Sequence, residues 1–420
     1  GAMGNTQVKG SNYAIAIVVA CIAFYAVPVG LVGNQAGLFT TPVMEQFGWS
    51  QTEATLYMSI QPWVAAIFTP IAGKVLNKCN PRWVLTLSSL AFGLSSLACA
   101  WFTEPWMWHC YGVIYGISAA FFMYIAVPTM VNRWFVKHNG FVIGFCGAFI
   151  SILAAIMSPV IQTWISSMGW QQARIIISVA CTVISVVLTF ALLRPSPESM
   201  GLKPFGYDPN ATEAAAADPS KKPGCTPAEA RKSPALYMLM LVAGFFVIAA
   251  SFVQQLSRYC STMPELGAAV GALAVSIAMV GGIVGKFGLG WICDRFGSRT
   301  AGVTAGALGA IGVLICFFAG GNVTMFYVGV ALFGVGYSAL STVPPMLCSD
   351  AFGQKSFTDI YSMVATALNV FSGFSALIYA QIFDITGSYN GAFWMIIIFY
   401  VLIVIMSLFI VPMGRRLWKK

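Results

Sequence analysis

A single lysine, Lys286, lies deep within an apolar stretch that runs from about Gly267 to Cys293. A charged side chain at the centre of a bilayer costs roughly 2.5–3.5 kcal/mol on insertion scales, so it usually faces a cavity or a ligand. The chemistry that such a position offers is the binding of an anion. The alternative is a lysine whose stem carries the ammonium toward the membrane surface, because Asp294 follows after about eight residues, roughly 12 Å of helix.

Other polar and aromatic side chains fall within the apolar stretches. Adjacent amides in the first stretch are either ligands or contacts between helices, and two large aromatic residues are either cavity walls or ordinary core. The amides are Asn34 and Gln35, and the aromatic residues are Trp63 and Phe149.

The composition identifies the kind of protein that must position these residues. The chain has 420 residues, of which 58% are hydrophobic and only 8% charged, whereas soluble proteins have about 25% charged residues. We therefore expect an all-α integral membrane protein. The sequence shows no phosphate-binding loop and no cysteine spacing typical of a metal site, so we expect no cofactor, no ATP-driven transport and no enzyme.

Apolar stretches of about 20 residues each predict membrane-spanning helices. Twelve are present, at about 13–40, 54–76, 82–102, 106–131, 139–166, 171–193, 234–259, 267–293, 299–319, 323–348, 356–383 and 391–412. They predict two six-helix halves, residues 13–193 and 234–412, joined by a polar linker at 194–233. Residues 1–12 are interpreted as a protease-cleavage scar and an N-terminal tail, and 413–420 as a basic tail.

The loop charges predict the orientation. Lysine and arginine concentrate in the linker, in the C-terminal tail and in the loops on their side, which predicts that both termini are cytoplasmic. Because these basic residues set topology, they do not indicate a nucleic-acid partner.

Arg258 ends the seventh span and is interpreted as a residue of an outer gate, with a second carboxylate site as the alternative. Arg174 likewise lies near the outer face.

The loop after the eighth span reads Gly290-Trp291-Ile292-Cys293-Asp294-Arg295-Phe296-Gly297-Ser298-Arg299. This resembles the G-x-x-x-D-R-x-G-x-R signature of the major facilitator superfamily, and Gly73 to Arg82 repeats it after the second span with Asn77 in place of the acid. Asp294, Arg295 and Arg299 are expected to latch two helices on the cytoplasmic side, with a helix N-terminus as one partner. The latch at Asn77 is expected to be weaker.

Other segments are similar to the oxalate:formate antiporters and the related monocarboxylate transporters. They include Asn132-Arg133-Trp134-Phe135 after the fourth span, Phe47-Gly48-Trp49-Ser50 after the first, and Arg194 to Pro204 after the sixth. The resemblance implies transport of small carboxylates through a central aromatic cavity. It places Lys286 where the family carries a substrate-binding cation, usually arginine. We assign Arg133 to the cytoplasmic latch.

The resemblance also places a cavity tyrosine at Tyr124, and Tyr337 occupies the comparable place on the tenth span. A phenol can donate a hydrogen bond to a carboxylate while its ring excludes water. The alternative for each is a packed interior tyrosine.

Every Asp and Glu falls in a loop or at the end of a span by these boundaries, which favours antiport or facilitated exchange over proton coupling. The sequence thus predicts a major-facilitator transporter of small organic anions that works by alternating access as a monomer in a bacterial inner membrane. The alternatives are a proton-coupled monocarboxylate symporter in which Lys286 carries the proton, an exporter of amphipathic compounds, and a sensor on a transporter fold.

Overall fold

The computed structural model describes residues 2–207 and 222–419, with only the backbone given for a few residues within these ranges. This part of the chain is almost entirely helical and contains no β-strand beyond two isolated bridges. The α-helices are Ala2–Cys21, Ala36–Phe47, Gln51–Lys78, Pro81–Ala98, Pro105–Phe122, Ala126–Trp134, Asn139–Met168, Trp170–Leu192, Pro227–Arg231, Pro234–Ala250, Leu256–Thr262, Gly267–Phe296, Ser298–Ala319, Val323–Ser338, Val343–Phe352, Phe357–Thr386 and Asn390–Arg415.

These helices form twelve spans, as the sequence predicts. Eleven of the described helical segments are long and apolar enough to cross a membrane. The remaining span, the second, is Gln51–Lys78, which has the necessary length but carries polar side chains such as Gln61 and Thr69 along it. The spans are numbered below in chain order, and the side of the molecule on which the sixth ends and the seventh begins is called the linker side.

Four of the twelve spans are interrupted, and they are the first, fourth, seventh and tenth. The first changes from α-helix to two π-helical turns, Ile22–Ala26 and Pro28–Val32, and then to a 3₁₀ turn, Gly33–Gln35. The seventh and tenth pass through 3₁₀ turns at Ser251–Gln255 and Ala339–Ser341. An interruption at every third span reveals a repeat of three helices, and discontinuous helices line binding sites in transporters.

Proline explains two of these interruptions. Pro128 lies at the start of Ala126–Trp134, just after the break in the fourth span, and Pro344 lies at the start of Val343–Phe352 in the tenth. A proline lacks the backbone N–H that the preceding turn needs and its ring collides with that turn, so the helix breaks before it.

Two one-residue turns connect neighbouring spans without a loop. Gly169 (φ 91°) joins the fifth span to the sixth, and Gly297 (φ 93°) joins the eighth to the ninth. At these φ values a side chain would be strained, which explains the glycine in the motif that contains Asp294.

The two halves meet along two pairs of spans, the fifth with the eighth and the second with the eleventh. Both contacts are close at glycine: a Cβ on Gly290 would lie 2.6 Å from the Gly140 carbonyl oxygen, and one on Gly73 would lie 2.9 Å from the side chain of Ser362. A Cβ on Gly144 would overlap with the carbonyl oxygen of Lys286. Small residues at these positions allow the backbones to approach.

Each end of the linker is attached to its own half. The Phe205 amide donates to the Trp134 carbonyl (2.7 Å) on the first half, and the Cys225 amide donates to the Phe352 carbonyl (3.0 Å) on the second. Residues 208–221 lie outside the described part of the chain. The domain boundaries at 193–194 and 233–234 remain predictions.

Candidate functional site

Lys286 lies in the interior of the molecule, with only 5% of its surface exposed. Its ammonium donates hydrogen bonds to the Gly147 carbonyl oxygen at 3.0 Å and to Ser151 Oγ at 2.9 Å. Lys286 therefore does not extend to the membrane surface. Because an ammonium has three protons, one N–H remains for a further partner.

A cavity of about 250 Å³ lies beside Lys286, between the two halves. The first, fourth, fifth, eighth, tenth and eleventh spans contribute its lining, and three of these are interrupted spans. Its polar lining residues are Tyr25, Asn34, Tyr124, Lys286, Tyr337, Ser338, Ser341 and Tyr361. None of the residues described in this lining is Asp, Glu or His, so its ionic character comes from one cation.

The two predicted tyrosines both reach this cavity. Tyr124 lies in the break of the fourth span, and its hydroxyl accepts a hydrogen bond from Gln61 Nε2 at 2.9 Å. That bond uses a lone pair of the phenol oxygen and leaves its proton available to an anion. Tyr337 lies against Gly282, where a Cβ would be 3.5 Å from its ring, one helical turn before Lys286. Asn34 also lines the cavity.

Other predicted site residues lie elsewhere. Gln35 is buried and donates to the Gly30 carbonyl at 3.0 Å. Trp63 packs against Phe374 of the eleventh span with ring centroids 5.5 Å apart, and Phe149 packs against Phe145 at 5.1 Å. These three are absent from the described lining of the cavity. The side chain of Arg258 lies outside the described part of the structure.

Three site residues were missed by the sequence reasoning: Tyr25, Tyr361 and Ser151. Tyr25 lies in the π-helical segment before Pro28, so a tyrosine just ahead of a proline in an apolar span was an available signal, as for Tyr124. Tyr361 follows Phe357 by one turn, and their rings stack at 5.5 Å. Ser151 had no distinguishing signal, because a serine within a membrane helix usually bonds to its own backbone.

A pair of threonines closes the cavity on the linker side. Thr129 of the fourth span and Thr358 of the eleventh are buried, and their hydroxyl oxygens lie 3.0 Å apart. The neighbouring residues Pro128 and Tyr361 line the central cavity, whereas Thr129 and Thr358 line a second cavity of about 420 Å³. The threonine pair therefore separates the central cavity from a vestibule on the linker side.

Asp294 joins the halves on the same side. Its two carboxylate oxygens accept hydrogen bonds from the backbone amides of Gly140 and Phe141, each at 2.8 Å. These amides belong to the first turn of the fifth span, where the helix dipole favours a negative charge. The expected contact with a helix N-terminus is present.

The arginines of the motif take no part in that contact. The Arg295 guanidinium lies 5.7 Å from the ring centroids of both Trp291 and Phe296, and the Arg299 side chain is exposed. Within the described residues neither forms an ion pair with Asp294, because the acid points across to the other half while the arginines point outward. Arg133 donates to the carbonyl oxygens of Leu76 (3.2 Å) and Pro195 (3.3 Å).

The matching position of the first half is organised differently. Asn77, which replaces the acid of the motif, lies near Asp359 at the start of the eleventh span, as do Lys74 and Lys78, and both Asn77 and Asp359 line the vestibule. A carboxylate is thus present at this contact too, but the opposite half supplies it. The loop motif does not indicate this partner, because Asp359 lies on a span that is distant in the sequence.

The vestibule also contains a charged pair from the linker. Burial raises the pKa of the Glu198 carboxyl and lowers the pKa of the Lys222 ammonium, while the attraction between the two charges opposes both shifts. Both residues line the vestibule. Glu198 follows the first half and Lys222 precedes the second, so the attraction between their charges acts between the two attached ends of the linker.

Arg174 is a second buried cation within the spans, with 1% of its surface exposed, and it lies one turn after the start of the sixth span at Trp170. Its Nε donates to the Ser96 carbonyl oxygen at 3.1 Å. The rings of Phe39 and Tyr111 each lie 5.2 Å from its guanidinium, and that of Trp108 lies at 5.6 Å. These aromatic faces stabilise the cation within one half.

Known proteins share this architecture and parts of this sequence. The family model of the Major Facilitator Superfamily matches residues 13–302 and 259–419. The chain belongs to this superfamily. Its members are transporters, so the protein is a multi-pass membrane transporter and not an enzyme.

Individual relatives are distant. Monocarboxylate transporter 12 of Xenopus laevis is 24% identical over 400 residues, which are 90% of this chain and 84% of that protein. The MFS-type transporter YhjX of Escherichia coli is 21% identical over 307 residues, 71% of each chain.

Solved structures agree in fold. The proton:xylose symporter XylE superimposes with a TM-score of 0.76 at 13% identity, covering 99% of both chains. FucP in the outward conformation gives a TM-score of 0.70 at 15% identity, covering 95% of this chain and 99% of that one.

Proposed function

We propose that this transporter carries small organic anions, mono- or dicarboxylates, by alternating access and with exchange of one anion for another. The observation that carries the proposal is Lys286, a buried cation with one uncommitted N–H beside a cavity between the halves. Lys286 would attract the carboxylate, and the hydroxyls of Tyr124 and Tyr337 would donate hydrogen bonds to it.

The size of the cavity supports a small substrate. Its volume of about 250 Å³ is below the range of about 300–1,000 Å³ that is usual for sites of drug-sized ligands. This disfavours an exporter of larger amphipathic compounds. The similarity to monocarboxylate transporter 12 also supports a carboxylate.

We further propose that the linker side is cytoplasmic and that the protein resides in a bacterial inner membrane. The concentration of lysine and arginine on that side supports this orientation. The hydrogen bonds between Thr129 and Thr358, and between Asp294 and the fifth span, close the cytoplasmic side. In this proposal the structure corresponds to the state that releases and receives anions on the outer side.

A thermal-shift screen of the purified protein tests the substrate class. Mono- and dicarboxylates of two to six carbons are compared with their amides and with neutral sugars. A carboxylate at 100 times its dissociation constant should stabilise the folded state by about 2.7 kcal/mol, while the matched amide should not. Stabilisation by neutral or amphipathic compounds, with none by any carboxylate, would contradict the proposal.

A further inference from the structure

The hydrogen bonds of Lys286 cross from one half of the molecule to the other. Lys286 belongs to the eighth span, in the second half, whereas Gly147 and Ser151 both belong to the fifth span, in the first half. Ser151 is itself buried, with 2% of its surface exposed. The residue that would bind the anion therefore also joins the two halves.

These contacts lie at the level where the halves must move. Alternating access requires one half to rock against the other around the central site. Because Gly147 and Ser151 are held by the first half and Lys286 by the second, rocking must lengthen at least one of the two hydrogen bonds. The lost bonds would leave a buried ammonium without partners, which is costly.

A bound carboxylate would change that cost. Hydrogen bonds between an ammonium and a carboxylate are stronger than those to a neutral hydroxyl or carbonyl oxygen. An anion in the cavity can take the uncommitted N–H first and then replace Ser151 Oγ, so that Lys286 keeps its partners while the halves separate.

We propose that Ser151 is a positioning residue that, together with the Gly147 carbonyl, holds Lys286 against the fifth span in the empty transporter and so makes movement of the halves depend on a bound anion. This rests on the proposed function. In this proposal Ser151 affects how strongly movement of the halves depends on a bound anion, and not how tightly the anion binds. A serine that merely satisfied a buried ammonium would affect folding or binding, but not the dependence of movement on substrate.

Two transport rates measure this dependence. Exchange of labelled anion uses only the loaded transporter, whereas net efflux into anion-free buffer also requires the empty transporter to return. We expect Ser151→Ala to raise the ratio of net efflux to exchange by about tenfold, since it removes a hydrogen bond to a charged group. The apparent affinity for the anion should stay the same or increase, and Ser151→Thr, which keeps the hydroxyl, should keep the low ratio.

Ser185→Ala is the matched control. Ser185 is a buried serine of the sixth span whose hydroxyl donates to the Cys181 carbonyl at 2.6 Å within its own helix. Its loss removes the same atoms from a membrane helix without touching the contact between the halves. If Ser151→Ala does not insert, Ser151→Cys takes its place, because a thiol is a weak acceptor of similar size.

The outcomes separate this inference from the proposed function. If the parent protein neither binds nor exchanges any carboxylate, the proposed function fails. If the parent exchanges a carboxylate and Ser151→Ala shows the parent ratio, or only a lower affinity, the coupling role is wrong and the anion site stands. If Ser185→Ala raises the ratio of net efflux to exchange as much as Ser151→Ala does, the coupling role of Ser151 is also wrong.

Discussion

Lys286 combines two roles in one side chain, since it faces the cavity and bonds to the opposite half. We expect Lys286→Ala to abolish anion binding and to leave a folded, inserted protein, because removal of a costly buried charge does not impair insertion. Calorimetric titration of the purified variant with the anion found in the screen measures this. An affinity equal to that of the parent protein would show that Lys286 does not bind the anion.

Lys286→Arg should keep part of the transport activity, because the charge persists while the shape of the donor changes.

The hydroxyl of Tyr124 is oriented by Gln61, which donates to it at 2.9 Å. Tyr124→Phe should weaken anion binding by about tenfold, the usual effect of losing a hydrogen bond to a charged group. Gln61→Ala should weaken it less, because the phenol proton remains and only its orientation is lost. The two dissociation constants, measured under the same conditions, check this order, and an equal or larger loss for Gln61→Ala would contradict it.

At this scale the sequence predicts the residues whose chemistry is unusual for their surroundings. Lys286, Tyr124, Tyr337 and Asn34 all reach the cavity, as expected of a charge or a polar group within an apolar span. Trp63 and Phe149 do not, because an aromatic ring gains as much by packing between helices as by facing a cavity. Ser151 could not be found, since its role depends on a lysine 135 positions away.

Among the helices, Asp294 contacts the fifth span on the linker side, where Asn77 of the first half also lies near Asp359 of the second. Asp294→Asn should favour opening of that side, because a charge-assisted contact with two backbone amides contributes about 1.5–3 kcal/mol. Asp359→Asn should have a smaller effect, since the side chain beside it is the neutral amide of Asn77 and not a pair of backbone amides at a helix N-terminus. Accessibility of single cysteines introduced in the vestibule measures both, and equal effects would contradict the asymmetry.

The approach of the fifth span to the eighth depends on Gly144, where any side chain would overlap with the Lys286 carbonyl oxygen. Gly144→Ala should lower the free energy of unfolding by about 1–3 kcal/mol, as overpacking does elsewhere. Gly288→Ala is the control on the facing helix, because no atom lies within 4 Å of an added Cβ there. Its effect should stay within about 1 kcal/mol, in the stabilising direction. Thermal denaturation in detergent compares the two, and similar losses would show that the close approach is unimportant.

Span positions were predictable because apolar length is the requirement that the bilayer imposes. The interruptions of the fourth and tenth spans could have been anticipated from Pro128 and Pro344, whereas the seventh span changes at Ser251–Gln255 without a proline. The contact between Asn77 and Asp359 was not predictable, because it joins the ends of two spans that are far apart in the chain.

For the whole molecule, we expect the coupling mode to depend on the charges that line the central cavity. The described lining of the cavity contains one cation and no carboxylate. Liposomes loaded with anion should therefore exchange labelled anion at similar rates with and without a pH difference, after correction for substrate ionisation. Uphill uptake into empty liposomes that is driven by an inward proton gradient and abolished by a protonophore would instead identify an anion–proton symporter.

The contacts that close the linker side also distinguish the two halves from each other. Both carboxylates, Asp294 and Asp359, belong to the second half, while the first half contributes backbone amides, Asn77 and the neighbouring Lys74 and Lys78. All acids of the first half, Glu45, Glu53 and Glu104, lie at the opposite side of their spans. A pair of first halves would bring Lys74 and Lys78 close to their own copies, and a pair of second halves would do the same with Asp294 and Asp359. Both arrangements place like charges together and are unfavourable. We therefore expect two fragments divided within the linker to assemble as one copy of each half.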